Sequence, residues 1–385
     1  MNIAYFINSL SNAAGMERIF IDKANLLSER EGMNVTLVSL MSSDDEQPAF
    51  KVSPRVKFIH LNLVFVPGDT SPRKRPFTFL WKWLKWRREV HRAVADVIRQ
   101  NNIDIAISST YDASLPLNAI DCHLIVESHA YRRDAVQGSA LPTLRRYLMS
   151  RRVAASDALV ALTHADASLW NEARRVEVIG NFTTIRPVAP YRPDTKRIMA
   201  AGRIDSQKGF DILVDAWRIV ARLHPDWSLD IYGSATHNTD CTHADLQSRI
   251  NEGGMSHCVT LCGTCHDMPR AYAEHSAFVL SSRYEGFGLV LLEAMACGVP
   301  CVTFDCPYGP SDIVGDGDDG IVVPFAGMTD RQRAEKLAQG LCSMIEAGDS
   351  GRMRMSEAAI KNAARFSPDA TIDKWVCLFN DIMRQ

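Results

Sequence analysis

Two glutamates eight residues apart, Glu285 and Glu293, are the side chains of this sequence best placed to meet a polar ligand. Glu285 opens the loop Glu285-Gly286-Phe287-Gly288. Glu293 stands in the run Leu-Val-Leu-Leu-Glu-Ala-Met-Ala, which is apolar nearly all round and offers no polar face to hold a solvated carboxylate. Their separation is about two helical turns. An apolar run at 277–280 precedes the loop, and Gly298-Val299-Pro300 ends the helical stretch before a second run at 301–304. The pattern predicts strand, glycine loop, helix and strand, with the loop at the strand end where open parallel sheets bind ligands. The plain alternative is one surface glutamate and one solvated helix glutamate, and the apolar neighbours of Glu293 argue against it.

A second group supplies the opposite charge. The turn Gly202-Arg203-Ile204-Asp205-Ser206-Gln207-Lys208-Gly209 places two cations after a predicted strand and before a predicted helix. Arginine offers a planar fork to phosphate oxygens and lysine a point charge, so the two together suit a diphosphate. A carboxylate facing vicinal hydroxyls accepts two hydrogen bonds from a ribose. The backbone N–H groups of Gly286, Phe287 and Gly288 can reach a further set of hydroxyls. Diphosphate, ribose and sugar are the parts of a nucleotide-sugar. The first half adds weaker signals. Gly15 lies in a small-residue loop at a helix N-terminus, where backbone N–H groups can meet an anion. Glu127-Ser128-His129 is a polar cluster at a predicted strand end, and a lone histidine there is structural as readily as functional.

These groups need a scaffold. A chain of 385 residues exceeds one ordinary core, which predicts two domains. Strands are expected at 2–7, 34–40, 57–63, 103–108, 123–127, 158–163 and 176–180, with helices between them. The proline-bearing stretch 183–195 reads as a linker. Strands recur at 197–202, 228–233, 259–263, 277–280, 301–304 and 321–324. A last amphipathic helix starting at Ser367-Pro368 carries Trp375, Leu378, Phe379 and Ile382 on one side. The alternation is that of an α/β protein with doubly wound sheets.

Composition narrows the function classes. Hydrophobic content of 46% and charged content of 23% are those of a soluble globular protein. A net charge of −2 argues against a nucleic-acid binder. The charge is uneven: residues 1–190 hold 24 Lys and Arg against 19 Asp and Glu, and the remainder 19 against 26. Several of the ten cysteines (Cys297, Cys301, Cys377) lie in apolar runs, which suggests reduced, buried thiols in a cytoplasmic protein. The first ten residues lack the basic and apolar regions of a secretion signal, and no apolar stretch is of membrane-spanning length.

Residues 72–92, PRKRPFTFLWKWLKWRREVHR, stand apart, with eight basic residues, one acid and three tryptophans. Phe79, Trp83, Trp86 and Val90 recur at helical spacing, and so do Phe77, Leu80, Trp81 and Leu84. A basic amphipathic helix with Trp on its apolar side suits an anionic membrane surface. Arg73, Lys74, Arg75, Trp81, Lys82, Trp83, Lys85 and Trp86 are the expected contacts. The alternative is a helix whose broad apolar side packs on the first domain.

The strings GRIDSQKG and SSRYEGFGLVLLEAMACGVP together resemble the large family of retaining glycosyltransferases of GT-B fold, the family four type, with its G-R…K-G turn and paired glutamates in an E-x7-E pattern. The resemblance is specific over 197–325. In the first half it rests on Gly15 and His129. It implies two facing Rossmann-like domains with a cleft between them: an acceptor-side domain over 1–182, a linker over 183–195, a donor-binding domain over 196–366, and a final helix over 367–385 crossing back to the first. It implies that Arg203 and Lys208 hold the diphosphate and stabilise it as leaving group, and that Glu293 binds the ribose. Glu285 would sit beside the transferred sugar, Gly15 would let its loop approach the phosphates, and His129 would face the sugar near the reaction centre. Such sequences often carry two glycines in that loop, and this one has Gly15 alone.

The expected activity is transfer of a hexose or N-acetylhexosamine, with retention, from a nucleoside diphosphate, UDP being the expected nucleotide. The acceptor is a hydroxyl of a lipid-linked or oligosaccharide acceptor in cell-surface polysaccharide or lipopolysaccharide synthesis. No cofactor and no metal are expected, because front-face attack with the leaving phosphate taking the acceptor proton needs neither. Location is expected to be cytoplasmic and peripheral on the inner membrane face. Other GT-B enzymes, of nucleotide-sugar epimerase or glycogen or sucrose synthase type, remain an alternative, as does a non-catalytic binding protein using Cys258, Cys262, Cys265 and His266 for metal or haem. Asp316-Gly317-Asp318 resembles a metal-binding D-x-D but lies in an acidic turn, and Gly315-Asp-Gly317-Asp-Asp-Gly320 has aspartates that would repel phosphate.

Overall fold

A computed structural model describes residues 1–11, 15–42, 46–65, 76–108, 122–129, 142–235 and 241–384. In chain order the first part runs β1 (Asn2–Ile7), α1 (Gly15–Ser28), β2 (Asn34–Ser39), β3 (Lys57–His60), α2 (Pro76–Gln100), β4 (Ile105–Ser108), β5 (His123–Ser128), α3 (Pro142–Ala155), β6 (Ala158–Ala161), α4 (His164–Ala167) and β7 (Val176–Val178). The second part runs β8 (Arg197–Ala201), α5 (Phe210–Leu223), β9 (Ser228–Tyr232), α6 (His243–Glu252), β10 (Val259–Gly263), α7 (Met268–Ala273), β11 (Ala277–Leu280), α8 (Leu289–Ala296), β12 (Cys301–Phe304), α9 (Pro310–Ile313), β13 (Gly320–Val323), α10 (Asp330–Glu346) and α11 (Gly348–Ala363), and α12 (Pro368–Met383) ends the chain.

The chain divides into two compact units, Met1–Gly180 with Pro368–Gln385, and Asn181–Ser367. The first holds a seven-stranded parallel sheet in the order β3-β2-β1-β4-β5-β6-β7. The second holds a six-stranded parallel sheet in the order β10-β9-β8-β11-β12-β13. Strands such as β6 (ALVA) and β11 (AFVL) are buried at every position. A parallel sheet covered on both faces requires such continuous apolar runs. Strand order reverses between β1 and β4 in one sheet and between β8 and β11 in the other. A crevice opens at such a point beyond the strand C-termini.

Two stretches behave differently from their sequence reading. The proline-bearing segment after β7 is fastened to the second unit: Tyr191 donates to the Ser276 carbonyl at 2.5 Å, the Thr195 and Ser276 hydroxyls are 2.8 Å apart, and Arg352 Nε donates to the Pro193 carbonyl at 3.2 Å. In α2 the two apolar sets part company. Trp86 turns inward, its indole N–H bonding the Leu63 carbonyl at 2.8 Å, and packs with Val90, Val94 and Val97 against the first core. Phe79 and Trp86 both meet the ring of Phe65. Trp83 is half-buried beneath the Arg87 guanidinium. Trp86 is therefore a packing residue, and the outward apolar set is Phe77, Leu80, Trp81 and Leu84. Lys85 is exposed beside that set and Lys82 half-buried, while Arg73, Lys74 and Arg75 lie outside the described residues. No helix among the described residues is long and apolar enough to cross a membrane.

Helix α12 returns to the first unit. Its side Thr371, Ile372, Trp375, Leu378, Phe379 and Ile382 is buried, most of it in the core built from β1, α1 and β2. Arg30, two residues past the end of α1, reaches Asp369 at 3.2 Å and Asp373 at 2.9 Å. Cys377 falls on the opposite side and is exposed, contrary to its reading as a buried thiol, while Cys297 and Cys301 are buried.

Candidate active site

In the second unit the switch point joins the turn after β8 to the loop after β11. The first turn tightens into a short 3-10 segment, Ser206–Lys208, capped by Asp205, whose carboxylate accepts from the Lys208 amide at 3.1 Å. Gly209 follows with φ of 62°, and a Cβ there would lie 2.2 Å from the Ser281 carbonyl oxygen, so only glycine allows the two segments to close. They are stitched by the Arg283 amide to the Gln207 carbonyl at 2.8 Å, Ser281 Oγ to the Lys208 carbonyl at 2.9 Å, and Gln207 Nε2 to the Tyr284 carbonyl at 3.1 Å. Arg283 bonds the Ser206 carbonyl at 2.7 Å and bridges Asp211 and Asp330. Its charge is thereby spent on protein partners, and it serves the scaffold.

The stitching brings Lys208 of one string to Glu285 of the other. Lys208 Nζ donates to Glu285 Oε1 at 2.7 Å, and Ser282 Oγ donates to the same oxygen at 2.5 Å. Both members of the ion pair are largely buried. Arg203 is exposed, bonded to Gln207 at 3.1 Å and 3.4 Å from Asp205. Gly286, Phe287 and Gly288 lead into α8, Gly288 serving as its N-cap with φ of 95°. The Phe287 side chain is buried against Phe366. Glu293 lies on α8, buried, and accepts from the Tyr272 hydroxyl at 3.3 Å. Burial, with the charge of Glu293 adding to it, pushes the Tyr272 phenol well above its ordinary range, so it remains a donor. Tyr272, Ser282 and Gln207 escape a reading of the sequence because they come from a helix and loops whose register to the glutamates is set by packing.

The first unit holds the other two predicted residues. Gly15 is the exposed first residue of α1, and the preceding residues 12–14 lie outside the described ones. His129 follows β5, with Nε2 3.1 Å from Glu127 Oε1 and its ring 4.6 Å from that of Phe20. Glu127 also pairs with Lys23 of α1. Burial alone would raise the Glu127 pKa, but Lys23 and His129 bring it down to about 2. Lys23 follows Asp22 in a helix that also carries Glu17 and Arg18, so the chain gives no local sign of its burial, whereas Glu127 is an acid ending an apolar strand. Their pairing depends on α1 crossing the sheet.

Among the described residues no group of three His, Cys, Asp or Glu could hold a metal ion. Cys258 is buried while Cys262 is exposed, so the cysteine string does not form a ligand cluster. Asp316 and Asp319 are occupied by the turn itself, accepting from the Val322 amide at 2.9 Å and the Gly315 amide at 2.8 Å.

Residues 195–347 match the family Glycosyl transferases group 1. The match lies within the second unit, Asn181–Ser367. The chain is similar over nearly its whole length to relatives named as glycosyltransferases. It is 25% identical to an uncharacterized glycosyltransferase of Haemophilus influenzae, over 97% of this chain and 98% of that one. It is 23% identical to the amylovoran biosynthesis glycosyltransferase AmsD of Erwinia amylovora, over 98% of each. Among solved structures, Alr3699/HepE of Anabaena, determined in complex with UDP and glucose, superposes with a TM-score of 0.69 at 19% identity, covering 98% of this chain and 99% of that one. The fold is GT-B, and the family match together with the relatives supports glycosyl transfer as the activity.

Proposed function

We propose that this protein is a retaining, metal-independent glycosyltransferase. It moves a hexose or N-acetylhexosamine from a UDP-sugar to a hydroxyl of a lipid-linked or oligosaccharide acceptor in surface polysaccharide or lipopolysaccharide synthesis. The observation that carries this reading is the meeting of Lys208 and Glu285 across the switch point, with Arg203 in the same turn and Glu293 along α8. The amylovoran relative and the UDP complex of the Anabaena neighbour support the acceptor class and the nucleotide.

In this reading Arg203 and Lys208 face the diphosphate, Glu293 accepts the ribose hydroxyls, and Glu285 with the amides of Gly286, Phe287 and Gly288 faces the sugar. The resemblance implies a part at the phosphates for Gly15 and one beside the sugar for His129. The bond from the anomeric carbon to the phosphate oxygen breaks as the acceptor oxygen attacks from the same face, and the acceptor proton passes to the departing phosphate. Charge builds on the diphosphate as that bond breaks, so preorganised cations there lower the barrier most. Glu285 and Glu293 each have their own task, and the two-carboxylate scheme of glycoside hydrolysis does not apply. The test is UDP release from UDP-glucose, UDP-galactose and UDP-GlcNAc with and without a chelator. Turnover of at least one, unchanged by the chelator, is expected, and turnover of none by folded protein refutes the donor class.

The same reading puts the protein in the cytoplasm, peripheral on an anionic membrane, through the outward set on α2. Phe77, Leu80, Trp81 and Leu84 form one exposed stripe, and exposed Lys85 and Arg88 lie on the same helix. Such a face binds by burying apolar rings at the headgroup level while cations meet anionic lipid. Replacing Phe77, Leu80, Trp81 and Leu84 by serine is expected to lower sedimentation with anionic vesicles at least tenfold, leaving the thermal transition in place. Equal sedimentation of variant and parent would exclude this face.

A further inference from the structure

The first unit contains a buried lysine–glutamate pair for which neither solvent contact nor packing offers a reason. Lys23 is fully buried, its ammonium 4.3 Å from the ring centre of Trp375, 5.1 Å from Tyr5 and 5.2 Å from Phe20. Three aromatic faces and the carboxylate of Glu127 enclose it. Glu127 Oε1 takes the contact from Lys23 and lies 3.1 Å from His129 Nε2, and among the described residues neither that Nε2 nor Glu127 Oε2 makes an aligned hydrogen bond. Replacing a buried ion pair by apolar side chains of similar volume is commonly neutral or stabilising, so stability alone does not account for this one. Neither Lys23 nor Glu127 can reach a ligand from such burial. The group they do reach is His129, at the C-terminal end of β5.

We propose that Lys23 and Glu127 are positioning residues for His129: Lys23 anchors the Glu127 carboxylate, and that carboxylate, 3.1 Å from Nε2, favours the ring proton on Nε2 and leaves Nδ1 as the nitrogen available to substrate. This rests on the reading of His129 as a group facing the donor sugar. A carboxylate beside one ring nitrogen favours the tautomer that carries its proton there. The neighbouring Phe20 ring, packed edge-on at 4.6 Å between centroids, restricts tilting about that contact. Trp375 gives the last helix a part in the device, because α12 supplies the aromatic face nearest the ammonium.

Two measurements test the proposal. The first is independent of turnover. In alkaline solution, nitrogen chemical shifts of the His129 ring, assigned by comparison with His129→Ala, are expected to show the proton on Nε2 in the parent. A mixture of tautomers is expected in Glu127→Gln. A parent ring protonated on Nδ1, or identical rings in the two proteins, would overturn the proposal. The second is a cycle read by UDP release from the UDP-sugar that the parent turns over. Glu127→Gln is expected to lower kcat about tenfold or more with UDP affinity unchanged. In the His129→Ala background the same substitution is expected to change kcat by less than about twofold. Independent, multiplying effects would show that Glu127 does not act through His129. The paired replacement Lys23→Met with Glu127→Leu is expected to keep the thermal transition and lose the rate, and retention of full rate would also sink the idea. If no UDP-sugar is turned over by the parent, the donor assignment fails while the ring measurement still decides this proposal.

Discussion

The ion pair between Lys208 and Glu285 has a consequence for binding. The Lys208 ammonium, proposed to meet the diphosphate, is bonded at 2.7 Å to the Glu285 carboxylate, proposed to meet the sugar. On that proposal a diphosphate would compete with Glu285 for Lys208. Lys208→Met is expected to weaken UDP by about 2 kcal/mol, the scale of a hydrogen bond to a charged group. Glu285→Gln removes the competitor and is expected to leave UDP affinity equal or higher while transfer is lost. Calorimetric titration with UDP decides it, and a weaker Glu285→Gln complex would show that the carboxylate helps to hold the nucleotide. Glu127 yields a pH prediction of definite sign. Its folded pKa of about 2 lies below the ordinary carboxylate value, so its contribution to stability is fully present above that ordinary value and is lost as pH falls toward 2. The stability gap between the parent and Glu127→Gln is expected to narrow over that acid range in denaturant titrations. A gap independent of pH would show that the carboxylate is not held ionised.

At the scale of elements, α12 and α2 show how far a pattern carries. The apolar side of α12 is visible in the chain, and the structure puts that side into the core of the first unit. Trp375 is 1% exposed and closes the box around Lys23, so Trp375→Ala is expected to cost about 3–5 kcal/mol, the range for deleting a buried large aromatic. Thermal unfolding monitored by circular dichroism would register it, and a shift within error would mean that α12 is only loosely docked. In α2 both apolar sets have helical spacing, and nothing in a single sequence ranks them. Packing chose Trp86 and Val90 because the Leu63 carbonyl and the Phe65 ring wait on that side, and left Phe77, Leu80, Trp81 and Leu84 outside.

Across the whole molecule, burial sorts the cysteines. Cys258, Cys297, Cys301, Cys306 and Cys342 are buried, while Cys262 and Cys377 are exposed. Burial, with Glu293 nearby, pushes the Cys297 thiol to about 12, which leaves it little thiolate at neutral pH. Brief alkylation of native protein is expected to modify Cys262 and Cys377 first and to spare the buried set until denaturant is added. Mass mapping that finds Cys297 or Cys301 among the early products would contradict the packing of α8 and β12. The same scale explains what was legible. The alternation of apolar runs predicts the doubly wound sheets, because strands buried on two faces need those residue types locally, and the Gly-Arg turn and the glutamate loop are the two segments that the second sheet joins. The sequence by itself determined which residues carry charge in apolar surroundings: Glu293 in α8 and Glu127 at the end of β5. Only the tertiary structure decided their partners, joining Lys208 to Glu285, Tyr272 to Glu293, and Lys23 to Glu127 under Trp375. A lone charge announces that it must be satisfied. What satisfies it depends on strand order and helix crossings, which bring together residues as far apart in the chain as Lys23 and Trp375 and leave no local trace.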